Sequence, residues 1–183
     1  MHETQLATWL EEEATVRVTL EAGVGPGVIT PQQLAGLSGL QVMQAMLAGS
    51  LAYPNIAQTL DFVLMKVERG FTIFQGQPGA AHLNPMGSVH GGWYATMLDS
   101  ALGCAVHTML PVGKAYTTAE LSVNLVKAIS PKVQRVRAEG RVLHCGRQLA
   151  TAEARLLGPD GTLYAHGTTT CLVFDLPKNL NPN

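Results

Sequence analysis

Charged and aromatic residues are scarce in this sequence. Of its 183 residues, 14% are charged and 5% aromatic, and acidic and basic side chains nearly cancel to a formal net charge of -1. The sequence therefore lacks the basic excess expected of a nucleic-acid-binding protein. No apolar run reaches the roughly 20 residues of a membrane span without a charge, glycine or proline interrupting it. The composition predicts one globular domain with a sizeable core, an extension, and neither a nucleic-acid nor a membrane partner.

Cysteine is also rare, and its placement argues against a disulfide or metal framework. Cys104, Cys145 and Cys171 are an odd number, lie far apart and form no CxxC pair, which predicts buried, reduced thiols. The histidines have no paired spacing typical of a metal site, so neither a metal nor a cofactor is expected. Residues 1–13 carry no apolar core flanked by basic residues, as a secretory signal would. We expect a cytoplasmic protein.

The stretch from residue 84 to residue 99 is the most informative part of the chain. One proline and three glycines interrupt its first half, which predicts a loop, and a helix is predicted over residues 93–110. This helix is apolar almost all round, so it should be buried. Asp99 nevertheless lies in its middle. A carboxylate there must be paired, solvated in a cleft or functional, because burying it alone and ionised is very costly.

The first fifty residues have a different pattern. Residues 6–10 form a short amphipathic segment of one or two helical turns, and residues 16–20 are either a strand or a continuation of that helix. A Thr-Pro pair at residues 30–31 starts a longer amphipathic helix that is predicted to run to Gly49. Two roles are open for this helix: a packing element that covers a sheet edge or a neighbouring subunit, or a lid over a ligand.

The rest of the chain alternates between apolar and polar residues as strands do. Strands are predicted over residues 59–67, 71–75, 117–129, 134–144, 148–157 and 164–174. Short connections rich in turn residues join most of them, which indicates an antiparallel sheet. Such a sheet and one apolar helix can bury each other only if the sheet curls round the helix, so the fold class is α+β. We predict an extension over residues 1–50, a domain over residues 51–176 and a tail over residues 177–183.

Several motifs agree in spacing with one known family. These motifs are Asn84, Gly87, His90-Gly91-Gly92, Asp99, Thr117-Thr118, Leu125-Val126-Lys127-Ala128, Ala138-Glu139-Gly140, Gly146-Arg147 and Gly161. In this combination the sequence resembles the PaaI-type hotdog-fold acyl-CoA thioesterases. The resemblance implies a six-stranded sheet wrapped round the helix, homodimers with one continuous sheet or homotetramers, and hydrolysis of acyl-CoA without a cofactor. It leaves the extension unexplained.

The resemblance also implies roles for individual residues. The Gly91 N–H and the Asn84 side chain would hold the thioester carbonyl, and Asp99 would act as general base on water or as nucleophile. Thr118 would help to place the water. Backbone N–H groups at a helix start suit the first role, because they lack intrahelical acceptors and lie at the positive end of the helix dipole. In this fold the site is shared between subunits, which would explain a carboxylate in mid-helix.

Further residues would contact the substrate, and each has a simpler alternative. His90, Gly92 and Thr117 are candidate substrate contacts, but the glycines could form only a tight turn and His90 could bond only to backbone. Asn84 before a proline is equally consistent with turn chemistry. The basic side chains of the strands and turns could bind CoA phosphates or face solvent; they are Lys127, Arg135, Arg137, Arg141 and Arg147.

Two classes of function follow from this reading. The first is an acyl-CoA thioesterase, which the mid-helix carboxylate favours. The second is a non-catalytic hotdog module that binds acyl-CoA as a sensor or interaction protein. A dehydratase of the same fold ranks below both, because the sequence lacks the histidine and acid arrangement associated with that branch.

Overall fold

A computed structural model describes residues 2–130 and 133–176, so the predicted tail over residues 177–183 lies outside the described residues. The helices are α1 (His2–Glu21), α2 (Pro31–Leu34), α3 (Gly39–Leu47), α4 (Asn55–Thr59) and α5 (Gly91–His107). The strands are β1 (Phe62–Glu68), β2 (Phe71–Gly76), β3 (Lys114–Leu125), β4 (Val136–Cys145), β5 (Leu149–Leu157) and β6 (Leu163–Asp175). A single 3₁₀ turn, Ala80–His82, lies in the loop before α5.

The six strands form one antiparallel sheet that wraps round α5. Their order is β1-β2-β4-β5-β6-β3, which makes β1 and β3 the edge strands. Helix α5 packs against every strand, and Met97, Leu98 and Leu102 on it are fully buried in the main core. The predicted α+β hotdog architecture is confirmed. The helix begins at Gly91, two residues before the predicted start, because His90 caps it there. It ends at His107, three residues before the predicted end.

A glycine in β4 lets the sheet approach the helix closely. A Cβ atom on Gly140 would lie 2.2 Å from the backbone oxygen of Ala101 in α5, a distance that no real side chain tolerates. Thr72, opposite Gly140 on β2, donates its hydroxyl to that same oxygen at 2.8 Å. The helix is thus fixed against the middle of the sheet, which fixes the position of Asp99 in turn.

Helix α1 crosses the outer face of the sheet. Phe74 belongs to the core beneath α5, so the next residue, Gln75, faces the opposite side. There it donates to the Trp9 carbonyl at 3.0 Å and to the Glu13 carboxylate at 2.6 Å. The prediction of one or two helical turns near residues 6–10 was too short, since α1 has 20 residues. Residues 16–20 continue the helix and are not a strand.

The second part of the extension is two helices, not the single predicted one. Thr30 and Ser38 each accept a hydrogen bond from the backbone N–H three residues on, and glutamine side chains return the bond at both caps. Gly36, between them, has a φ of +78°, which α-helix does not allow. Helix α3 packs on edge strand β1 and on α5, as expected of an element that covers a sheet edge. Across residues 2–130 and 133–176, none of the helices has the length and hydropathy to span a membrane.

Candidate active site

The loop before α5 is organised by Asn84. Its side-chain oxygen accepts from the backbone N–H groups of Met86 at 3.0 Å and Ser88 at 3.2 Å. Its side-chain nitrogen donates to the Ser88 hydroxyl at 2.9 Å. Turn chemistry therefore accounts for the oxygen and for one of the two amide protons. The second amide proton has no acceptor within the described ranges, so Asn84 retains one donor for a ligand.

His90 caps the start of α5. Its Nδ1 accepts from the Gly92 N–H at 2.9 Å, and its carbonyl accepts from the Trp93 N–H at 2.9 Å. His90 thus bonds to backbone, which was the simpler of its two interpretations. The Gly92 N–H, a candidate substrate donor, already has an acceptor. The Gly91 N–H has none among the residues that the structure describes, and it points out of the positive end of the helix.

A cavity of about 290 Å³ opens beside these two donors. Its walls include Asn84 and Gly91, and also Tyr94, Leu125 and Lys127. The Tyr94 hydroxyl accepts from the backbone N–H of Ile129 at 2.7 Å, which holds the ring against the wall. The structure therefore brings the two predicted carbonyl donors to one cavity, with a lysine at the same site.

Asp99 lies farther along α5 and contacts β3. The Thr118 hydroxyl donates to Asp99 Oδ1 at 3.1 Å, whereas Oδ2 has no hydrogen-bond partner in residues 2–130 and 133–176. Thr117, the neighbouring candidate, is exposed and pairs with the exposed Leu172 on β6. Successive residues of a strand face opposite sides, so Thr118 reaches the helix and Thr117 does not.

The negative charge of Asp99 acts on the thiol beside it. Burial, together with that charge, raises the pKa of Cys104 to about 12. Burial raises the pKa of Cys171 as well, and Asp99 adds to the effect. Both thiols are therefore protonated at neutral pH and are poor nucleophiles. Of the groups in this cluster, the Asp99 carboxylate is the one suited to activate water or to attack a carbonyl.

Within one chain, the two halves of the predicted site lie far apart. Gly91 and Asp99 are eight residues apart in the same helix, which places them about 12 Å apart along its axis at 1.5 Å per residue. Hydrogen-bond donors must lie about 3 Å from the oxygen that they stabilise. Gly91 and Asp99 of the same protomer cannot therefore contact the same carbonyl group. Within one protomer, the carbonyl donors and the carboxylate therefore form two separate groups.

The sequence did not predict the ionic cluster that holds α1. Glu13 is 2% exposed and accepts from Arg17, Arg135 and Gln75. Arg137 binds Glu12, and its guanidinium stacks 4.3 Å from the centre of the Trp9 ring. Two of the five basic residues considered for CoA phosphates, Arg135 and Arg137, are thus bound to the extension. Acidic residues at 12 and 13 followed by arginines at 135 and 137 were the only signal, and their pairing depends on the fold.

Comparisons with known proteins show similarity to thioesterases and esterases. The family model of the thioesterase superfamily matches residues 86–165, which span the helix start, Asp99, Thr118 and three of the strands that follow. This match covers less than half of the chain. A stretch of 82 residues also aligns, at 34% identity, with a Halobacterium salinarum protein whose esterase activity is itself inferred. That alignment covers 45% of this chain and 54% of the relative, so it spans about half the relative's length.

Solved structures of PaaI-type thioesterases share the fold. A phenylacetic acid degradation-related protein of Ralstonia eutropha, described as a thioesterase by inference, is 29% identical with a TM-score of 0.65 and covers 71% of this chain and 98% of its own. The Escherichia coli PaaI protein is 17% identical with a TM-score of 0.59 and covers 67% of this chain and 87% of its own. Within the described ranges, no group of three His, Cys, Asp or Glu residues is arranged to hold a metal ion.

Proposed function

We propose that this protein hydrolyses acyl-CoA thioesters to the free acid and CoA. The observation that carries the proposal is Asp99, a carboxylate in an apolar helix with one oxygen held by Thr118 and the other free. The match of residues 86–165 to the thioesterase superfamily model supports thioester hydrolysis in general. The identity of the thioester as acyl-CoA is the more specific part of the proposal.

The reaction is a water attack on the thioester carbonyl carbon. Asp99 Oδ2 takes a proton from water while the new C–O bond forms, and the carbonyl oxygen becomes an oxyanion. The Gly91 N–H and the free Asn84 amide proton donate to that oxyanion. The C–S bond then breaks as the intermediate collapses, and the proton held by Asp99 passes to the CoA sulfur. If Asp99 attacks directly, an anhydride forms first and water then cleaves it.

We infer that Asp99 and Gly91 at one site come from different subunits of a homodimer. Strand β3 is an edge strand of 12 residues, and exposed backbone edges of that length favour pairing with another copy. Thr118 lies beside Asp99, and Leu125 lies 3.1 Å from where a Gly91 Cβ would be. Antiparallel pairing of two β3 strands about an axis between Leu121 and Ser122 would set Thr118 opposite the partner subunit's Leu125. A dimer of this kind would assemble both halves of each site.

The first test is a paired measurement on wild type and Asp99→Asn. Asn keeps the size of Asp but cannot accept a proton from water, so turnover of the best acyl-CoA should fall by about 100- to 10,000-fold. The melting temperature should hold or rise, because a neutral amide costs less to bury than a carboxylate. Undiminished turnover in a folded Asp99→Asn protein would refute the mechanism. A wild type that binds acyl-CoA but cleaves no member of a panel would indicate the non-catalytic module instead.

The second test mixes two inactive variants. Asp99→Asn and Gly91→Val are each expected to lose turnover, the second because its side chain would fill the space beside the N–H. Co-expressed with different tags, they should form heterodimers in which one site carries both substitutions and the other carries none. Recovery of activity in the purified heterodimer supports the shared site. A heterodimer as inactive as its parents would contradict it.

A further inference from the structure

A second cavity lies between the extension and the far end of α5. Its volume is about 160 Å³, and its walls include Leu34, Leu37, Val42, His107, Tyr116 and Leu176. A volume of about 150 Å³ is enough to hold a group as large as benzene. Three of these wall residues come from α2, α3 and the turn between them. The extension therefore builds one side of an apolar space that the matched thioesterase segment alone would leave open.

Tyr116 joins this cavity to the Asp99 region. Its ring contacts His107 with 5.6 Å between centroids and packs over Gly103 of α5. A Cβ on Gly103 would lie 2.7 Å from the Tyr116 hydroxyl oxygen, so a glycine is needed there for the ring to fit. Burial raises the pKa of Tyr116, and the nearby Cys104, Cys171 and Asp99 raise it further. Tyr116 therefore lines the cavity and lies near Asp99, whose partner Thr118 is two residues farther along β3.

The cavity walls favour an uncharged occupant. Burial lowers the pKa of His107 from its usual 6.5, so its imidazole is neutral at pH 7. Lys114, at the rim, is paired with the Asp175 carboxylate at 2.8 Å. The remaining wall side chains are mostly leucine and valine. A hydrocarbon tail can pack against these leucine and valine side chains, whereas an anionic group would have to compete with Asp175 for Lys114.

We propose that this cavity binds the distal end of the acyl chain whose thioester is cleaved at Asp99, and that Leu34 and Leu37 limit the chain length. The inference rests on the proposed hydrolysis and names its substrate class. His107 is eight residues past Asp99 in α5, about 12 Å along the axis. Each C–C bond of about 1.5 Å advances an extended zigzag chain by only about 1.25 Å, so about ten carbons are needed to span that distance. The protein should prefer medium-chain acyl-CoA.

The experiment compares chain-length profiles with a thiol reagent, using butyryl-, decanoyl- and palmitoyl-CoA. Leu37→Trp fills the cavity from the extension, and Leu37→Ala enlarges it. Val28→Trp is the matched control, because Val28 lies on the same extension but is exposed and outside the cavity. The ratio of kcat/KM for decanoyl-CoA to that for butyryl-CoA should fall at least about tenfold in Leu37→Trp, since each methylene excluded from an apolar pocket costs that much or more.

The two Leu37 variants should shift the profile in opposite directions. Leu37→Ala should raise palmitoyl-CoA turnover relative to decanoyl-CoA, and Val28→Trp should keep the wild-type profile. A wild type that hydrolyses acyl-CoA with the same profile in all three variants overturns the tail site and leaves the proposed hydrolysis intact. A wild type that cleaves no chain length overturns both. Loss of folding in Leu37→Trp leaves Leu37→Ala as the deciding variant, and an unchanged Leu37→Ala profile then counts against the proposal.

Discussion

Glu13 should be among the residues on which the stability of this protein depends most. Its carboxylate is almost fully buried under α1 and accepts from Arg17 at 2.6 Å, from Gln75 at 2.6 Å and from Arg135. Glu13→Ala would remove the acceptor for all three donors at once. Breaking a buried ion pair by deleting one partner costs about 3–5 kcal/mol, because the remaining charge stays buried without compensation.

The structure places the expected cost at the lower end of that range. The Arg17 side chain is 36% exposed and the Arg135 side chain 18%, so water can partly replace the lost carboxylate. A loss of about 3 kcal/mol in the free energy of unfolding corresponds to a fall in melting temperature of about 6–12 °C for a chain of this size. Glu13→Gln keeps the volume and part of the hydrogen bonding, so its melting temperature should lie between those of wild type and Glu13→Ala.

The assay is differential scanning calorimetry at pH 7, with Glu11→Ala as the matched control. Glu11 lies in the same helix, two residues away, and its side chain is exposed. Its replacement should change the free energy of unfolding by no more than about 0.5 kcal/mol. If Glu13→Ala melts within about 2 °C of Glu11→Ala, the ionic cluster does not hold the extension on the sheet and the reasoning is wrong.

Three further predictions follow from the same structure. Burial would raise the pKa of Glu13, but hydrogen bonds from Arg135, Gln75 and Arg17 outweigh it and lower that pKa below 4.5. The ionised Glu13 therefore stabilises the folded state fully above pH 4.5, and this contribution is lost as the pH falls further. Calorimetry should show that Glu13→Ala lacks this acid dependence. Gly91→Ala should fold normally, because its Cβ meets only the half-exposed Leu125 at 3.1 Å, yet lose about 100-fold in turnover by displacing the substrate carbonyl; equal turnover would contradict the carbonyl role. Lys127→Ala should raise KM for acyl-CoA about fivefold without raising it for an N-acetylcysteamine thioester, which lacks CoA phosphates, while Lys66→Ala on the far edge strand should change neither.

The sheet and its helix could be predicted from the sequence because burial of one or more faces of an element produces a clear periodic pattern of apolar residues. Alternation along β4, β5 and β6 follows directly from one face packing on α5, and the uninterrupted apolar character of α5 follows from its being surrounded. Helix α1 escaped prediction for the opposite reason. Its large buried side chains are few, chiefly Trp9, Glu13 and Leu20, and one of them is charged, so no apolar stripe marks its full length.

The sequence supplied the candidate site residues but not all of their contacts. The family resemblance, together with the unusual position of a carboxylate in an apolar helix, indicated Asp99 and the glycines. The Thr118 hydroxyl donates to Asp99, so the threonine is near enough to help place a water there. Which N–H at the helix start stays free depends on the His90 side chain, whose ring turns back to cap Gly92. That rotamer is set by three-dimensional packing. The two capping boxes at Thr30 and Ser38 were visible as S/T-x-x-Q patterns and would have divided the extension correctly.

The sharing of one core by extension and domain limits how this protein can be engineered. Met43 on α3 is 1% exposed and packs in the same cluster as Leu98 and Leu102. A version that lacks residues 1–50 would lose Met43 and expose the surface against which it packs to water. Grafting the first fifty residues onto a related scaffold would equally require the matching surface on β1 and α5. The extension and the domain should therefore be kept together in any engineered chimera.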